Sequence, residues 1–204
     1  MGEQDDFDVV GSETVFDGRI VTVRRDQVRM GDGTVAVREV VDHMGAVGVV
    51  ALDDDGNVVL VNQYRHPVSA RLDELPAGLL DVRGESALDG AKRELAEEAG
   101  LVADDWQVLL DLHTSPGIST EAIRLYLARG LHEVGDDHGF EPEHEEVSMT
   151  VRREPLSEAV RRALSGAMTN ATAVAGLLAA VHGRATGWRD LRPADAPWPA
   201  RPGR

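Results

Sequence analysis

The sequence predicts an α+β protein, helices packed against sheet, preceded by a small antiparallel β unit. Three observations predict it. Apolar and polar residues alternate from Gly18 to Met30 and, after the turn Gly31-Asp32-Gly33, on to Val41, the period of paired strands with one buried face. Two near-continuous apolar runs follow, Ala46 to Leu52 and Val58 to Tyr64, as strands buried on both faces require. Leu88, Ala91 and Leu95 then recur at helical spacing.

Residues 1–43 form the strand unit, which is too small to stand alone and is expected to pack on the rest of the chain or on a partner subunit. A main domain spans 44–187. It opens with the two apolar runs, joined by the turn Asp53-Asp54-Asp55-Gly56-Asn57 into an expected hairpin. A glycine-bearing loop from Leu75 to Glu85 leads to a helix that Ser86 caps, with Asp89 three residues on, and that Gly100 ends. Strands are expected at Trp106 to Thr114, Ala122 to Leu131 and Val147 to Arg152, and helices at Leu156 to Leu164 and Ala171 to His182. Residues 188–204 mix proline, arginine and tryptophan without period and read as a surface tail.

Composition removes several function classes. The 204 residues carry 21 basic and 36 acidic side chains, a net charge of −15, which argues against nucleic acid, bound through cations that displace counterions from its backbone. The absence of cysteine excludes disulfides, thiolate zinc sites and cysteine nucleophiles. No run approaches the ~20 apolar residues of a membrane span, and the acidic residues Met1 to Asp8 lack the charged-then-apolar order of a secretion signal. A soluble, cytoplasmic chain with no membrane partner is expected. The seven histidines show no ligand spacing and read as bystanders.

The helix after Ser86 contains an anomaly. Glu94 and Glu98 lie at i, i+4, side by side on one face, with Glu97 close by. Like charges at that spacing cost a few tenths of a kcal/mol each. Acids in a last turn also oppose the helix dipole by roughly 0.3–1 kcal/mol. Arg93 paired with Glu97 relieves part of this, and a solvated acidic face is one reading. The other is a divalent cation over that face, which turns repulsion into coordination by hard oxygens.

The run Gly78-Leu79-Leu80-Asp81-Val82-Arg83-Gly84-Glu85, seven residues, then Arg93-Glu94-Leu95-Ala96-Glu97-Glu98-Ala99-Gly100-Leu101 resembles the signature box of the Nudix hydrolases. One departure stands out: six residues separate Gly78 from Glu85 where the family has five. The insertion bears only on where the backbone carbonyl beside Gly78 falls and leaves the helical glutamates in register. The resemblance implies an α/β/α sandwich with a mixed sheet between helices. It makes Glu94 and Glu98 ligands of Mg2+ or Mn2+, with Glu97 and the Ala77 carbonyl as further candidates, and gives Gly78, Glu85, Arg93 and Gly100 structural roles.

Within that family, Gln63-Tyr64-Arg65, Glu74-Leu75-Pro76-Ala77-Gly78 and Pro116, sixteen residues beyond Gly100, are similar to the ADP-ribose pyrophosphatase branch. Cleavage of the ADP-ribose diphosphate to AMP and ribose 5-phosphate, by a homodimer built through the N-terminal strands, is then implied. Arg65 would contact the diphosphate through its planar fork, with Glu74 and Glu121 near ribose or phosphate. The base would come from the acidic loop Glu141 to Glu146, first Glu146 and then Glu145. Two alternatives stay open: cleavage of another nucleoside diphosphate derivative (an NDP-sugar, a dinucleotide, an oxidised nucleotide), and a regulator that binds ADP-ribose without cleaving it.

Overall fold

The computed structural model describes residues 7–135 and 148–201. The chain divides into two compact units: the smaller has 7–45, 113–122 and 201 among its described residues, and the larger holds 46–112 and 123–200.

The smaller unit is an antiparallel sheet of β1 (Asp8–Asp17), β2 (Val21–Arg29) and β3 (Val35–His43) in that order. The expected pair of strands is β2 and β3, in continuous register from Val21↔His43 to Arg29↔Val35. The third strand, β1, escapes a reading based on alternation because its register slips between Val9 and Gly11 and again between Thr14 and Phe16. Each slip resets which face a side chain takes. A buried carboxylate helps to bind the sheet together: Asp26 accepts from the Ser12 hydroxyl (2.6 Å) and from Arg24 Nε (2.8 Å), and these contacts hold it below the usual carboxylate range.

The larger unit runs β4 (Ala46–Ala51), β5 (Asn57–Arg65), β6 (Ala70–Glu74), β7 (Ala77–Leu79), α1 (Ala87–Ala99), β8 (Leu101–His113), β9 (Ala122–Glu133), β10 (Thr150–Pro155), α2 (Leu156–Leu164), α3 (Ala171–Ala185) and β11 (Arg192–Pro193). The five-stranded sheet, ordered β11-β8-β9-β4-β7, is mixed, since β4 runs parallel to β9 and antiparallel to β7. Strands β10, β5 and β6 form an antiparallel sheet of three. The hairpin expected from β4 and β5 does not form: they join different sheets and share a single bridge, Leu52↔Val58. All six residues of β4 and Val58 to Val61 of β5 are buried. An apolar run without alternation leaves the choice of neighbour to the fold.

Side-chain alternation sorts the core into the two layers of a sandwich. Val50, Leu125 and Leu127 pack with Leu156 of α2 and Ala173, Leu177 and Ala180 of α3. Their sequence neighbours Val49, Tyr126 and Ala128 pack with Ala91 and Leu95 of α1. Gly176 brings α3 close to the sheet, because a Cβ there would lie 2.9–3.0 Å from side-chain carbons of Leu75, Leu125 and Val50.

The segment after α3, read from the sequence as a surface tail, is instead packed. Leu191 and Trp188 lie against the α2/α3 layer, and Ala194, Ala196 and Trp198 against the α1 layer. β11 pairs with β8 at the sheet edge. The anchor is Arg124, 2% exposed: it forks onto Asp111 (Nε–Oδ1 2.7 Å, Nη2–Oδ2 3.1 Å) and donates to the carbonyls of Ala196 (2.6 Å) and Pro197 (2.9 Å). Its guanidinium lies 5.0 Å from the Trp198 ring centroid. The segment is thus held through its main-chain carbonyls and one ring by a single distant arginine, which leaves no periodicity in the sequence.

Candidate active site

Helix α1 presents the glutamates, and its termini follow from its own sequence. Ser86 Oγ accepts the Asp89 N–H at 3.0 Å. Gly100, at φ 65°, closes the last turn by donating to the Ala96 and Leu95 carbonyls, a conformation that costs glycine least. Gly90, Ala91 and Leu95 are buried with Glu94 and Glu98, so the two glutamates lie on the side of the helix turned into the protein. That excludes the solvated-face reading for this pair. At 9% and 8% exposure, they have lost most of their water.

The strand before the helix meets them. Glu98 Oε2 accepts the Ala77 N–H at 2.8 Å, and Gly78 packs so closely on the Glu94 carboxylate that a Cβ would collide with it. The absence of a side chain at 78 is what lets the Glu94 carboxylate take this position. Glu85 and Arg93 clamp the loop to the helix through two near-parallel bonds, Nε–Oε1 at 3.0 Å and Nη2–Oε2 at 3.1 Å. Arg93 Nη1 reaches Glu94 Oε1 at 2.6 Å and Glu97 Oε2 at 3.1 Å. Burial still outweighs that partner and pushes the Glu94 carboxyl up to about 7, with Glu97 and Asp81 adding to the rise, while Glu85 and the other carboxylates hold the Arg93 guanidinium firmly charged.

A buried carboxylate short of positive charge, beside a second one turn on, suits a hard divalent cation. Glu94 and Glu98 could hold it, with Glu97 less buried alongside. Asp81 was not singled out from the sequence. It occupies the loop between Gly78 and Glu85, where no helical period marks it.

Arg65 and Glu74, both named from the sequence, lie on neighbouring strands and meet each other. Glu74, 2% exposed, takes Arg65 Nη2 at 2.7 Å and Nε at 3.1–3.2 Å. Gln63, buried on β5 and absent from the sequence candidates, donates to the same carboxylate at 3.4 Å. Glu74 therefore acts on Arg65, whose side chain is 44% exposed. Leu75 and Pro76 alone separate Glu74 from Ala77 and its bond to Glu98.

Glu121 belongs to the smaller unit, where the Thr114 hydroxyl donates to it and His43 Nε2 stands 3.6 Å away. His43 Nδ1 accepts the Gly45 N–H at 3.1 Å, which directs the ring proton to Nε2. His43 thus stands beside Glu121. Glu145 and Glu146, named as candidate bases, lie outside the described residues.

Taken together, the loop, the helix and their buried carboxylates define a Nudix-type site, and comparison with known proteins agrees. Residues 42–171 match the NUDIX domain and residues 7–41 match the nucleoside diphosphate sugar hydrolase N-terminal domain. The chain belongs to the Nudix hydrolases. It is 53% identical over 197 residues to an ADP-ribose pyrophosphatase of Mycobacterium tuberculosis, covering 97% of this chain and 93% of that one. It is 32% identical to an ADP-ribose pyrophosphatase of Haemophilus influenzae, covering 85% of each. Among solved structures, an ADP compounds hydrolase shares the fold with a TM-score of 0.75 at 24% identity, covering 93% of this chain and 99% of that one. No helix among the described residues is long and apolar enough to cross a membrane.

Proposed function

We propose that this protein hydrolyses the diphosphate of ADP-ribose to AMP and ribose 5-phosphate, using Mg2+ with Mn2+ as the alternative ion. The observation that carries the diphosphate chemistry is the pair of buried carboxylates, Glu94 and Glu98, facing the 77–78 strand. The choice of ADP-ribose rests on the relative that is 53% identical over nearly the whole chain.

In this reading Glu94 and Glu98 hold the cation, with Glu97 and the Ala77 carbonyl as further ligands. When bound, the ion supplies the positive charge that a diphosphate needs in an acidic cleft and makes water more acidic. Arg65, held by Glu74, orients the diphosphate through its planar fork. Glu121, which accepts from the Thr114 hydroxyl, serves the ribose or phosphate end. Glu146, then Glu145, accepts the proton from the attacking water. The protein works in the cytoplasm as a homodimer joined through the N-terminal strands.

One observation favours a second reading. The match of residues 7–41 to the N-terminal domain of nucleoside diphosphate sugar hydrolases admits NDP-sugars as substrates. The test is product analysis with Mg2+ across ADP-ribose, an NDP-sugar and a dinucleotide. AMP with ribose 5-phosphate, formed fastest from ADP-ribose, is expected. Preferred cleavage of an NDP-sugar would move the substrate assignment, and binding of ADP-ribose without turnover would replace the enzyme reading by that of a regulator.

A further inference from the structure

Arg93 makes more contacts than a clamp requires. Its fork to Glu85 through Nε and Nη2 is sufficient to tie loop to helix. The third nitrogen, Nη1, makes the shortest of its four contacts, 2.6 Å to Glu94 Oε1, and bridges on to Glu97 Oε2 at 3.1 Å. Helix geometry alone does not produce the first of these, because residues at i and i+1 do not face one another. The fork to Glu85 draws the guanidinium across the helix and sets one N–H2 group between two carboxylates.

We infer that Arg93 is the resident countercation of the glutamate site: Glu94 gives up Arg93 Nη1 when a divalent cation binds, while the fork to Glu85 keeps the guanidinium in place. The inference rests on the metal-binding reading above. It gives the buried Glu94 side chain, 9% exposed, a partner at 2.6 Å before the ion arrives. One N–H2 group is a weaker neutraliser of a buried carboxylate than a divalent ion. Competition from a tethered cation also weakens the ion's hold on the site.

The test is calorimetric titration of the metal-free protein with Mg2+ and Mn2+, together with the rise in Tm on adding each ion, for wild type, Arg93→Gln and Arg93→Lys. A countercation predicts tighter binding in Arg93→Gln, by at least about tenfold for the loss of one adjacent charge. Its Tm rise with metal should exceed that of wild type. Arg93→Lys, which keeps the charge and loses the fork, should bind within about threefold of wild type. Equal or weaker metal binding in Arg93→Gln would overturn the inference and leave Arg93 a clamp alone.

Should Arg93→Gln fail to fold, crystals of wild type grown in EDTA and with Mn2+ decide. Separation of Arg93 from Glu94 with the Glu85 fork retained supports the exchange, and an intact Arg93–Glu94 contact beside a bound ion overturns it. Wild type that binds neither ion would overturn the metal reading itself and this inference with it.

Discussion

Glu94 concentrates the energetic conflict of the site in one side chain. It is buried against Gly78, and its carboxyl, ordinarily near 4.5, is pushed up to about 7. Between those values the folded protein holds more protons than the unfolded chain, so this group's contribution makes stability fall as pH rises through the window. The carboxylates of Asp26 and Asp111 act in the opposite sense. Both are held low, Asp26 by Ser12 and Arg24, and Asp111 by Arg124 and Arg192 against its own burial, so their contributions are lost as pH falls. Comparing wild type with Glu94→Gln cancels those shared terms. In EDTA, thermal melts should show wild type losing ground to Glu94→Gln as pH rises from 4.5 to 7, with Mg2+ restoring the wild type above the variant. Parallel Tm profiles in EDTA would contradict the assignment.

Elements differ in how openly the sequence declares them. Helix α1 was legible at both ends because Ser86 and Gly100 meet local backbone needs, and local needs leave local signatures. The Glu85–Arg93 clamp and the side-by-side Glu94 and Glu98 were legible through fixed spacing, whereas the short motifs that drew attention to Arg65 and Glu74 did not foretell their contact with each other. Gln63 was quoted only as part of such a motif, and its contact with Glu74 was not foreseen, since it runs across strands to a residue eleven positions away. The hairpin expected from β4 and β5 failed because two runs buried on both faces do not encode their partners. The segment after α3 was misread because its anchor, Arg124, lies 72 residues from Ala196 in the chain. That anchor can be tested. Asp111→Ala strands a guanidinium that is 2% exposed, and leaving a buried charge unpaired costs about 3 kcal/mol or more. Urea denaturation should show the loss in midpoint at unchanged m. A change within ~0.5 kcal/mol, ordinary for a surface site, would show that Arg124 does not depend on Asp111.

For the whole molecule, the smaller unit poses a question of solvent exposure. Its three strands leave Val9, Phe16, Val35 and Val37 between 53% and 59% exposed, an apolar burden that a unit of this size does not usually carry in water. Pairing with a second copy would bury it. Sedimentation velocity at micromolar concentration should give a dimer, and Phe16→Asp should shift it toward monomer. A compact wild-type monomer would end the dimer proposal while leaving the chemistry of the larger unit untouched. That chemistry is the central claim, and Glu98→Gln tests it most directly, since the change is nearly isosteric and removes one charge from the glutamate pair. With ADP-ribose and Mg2+, wild type should release AMP while the variant, folded to the same Tm within a few degrees, loses at least ~100-fold in kcat/KM, nearly 3 kcal/mol of transition-state stabilisation. A folded Glu98→Gln protein that turns over ADP-ribose at the wild-type rate would contradict the account.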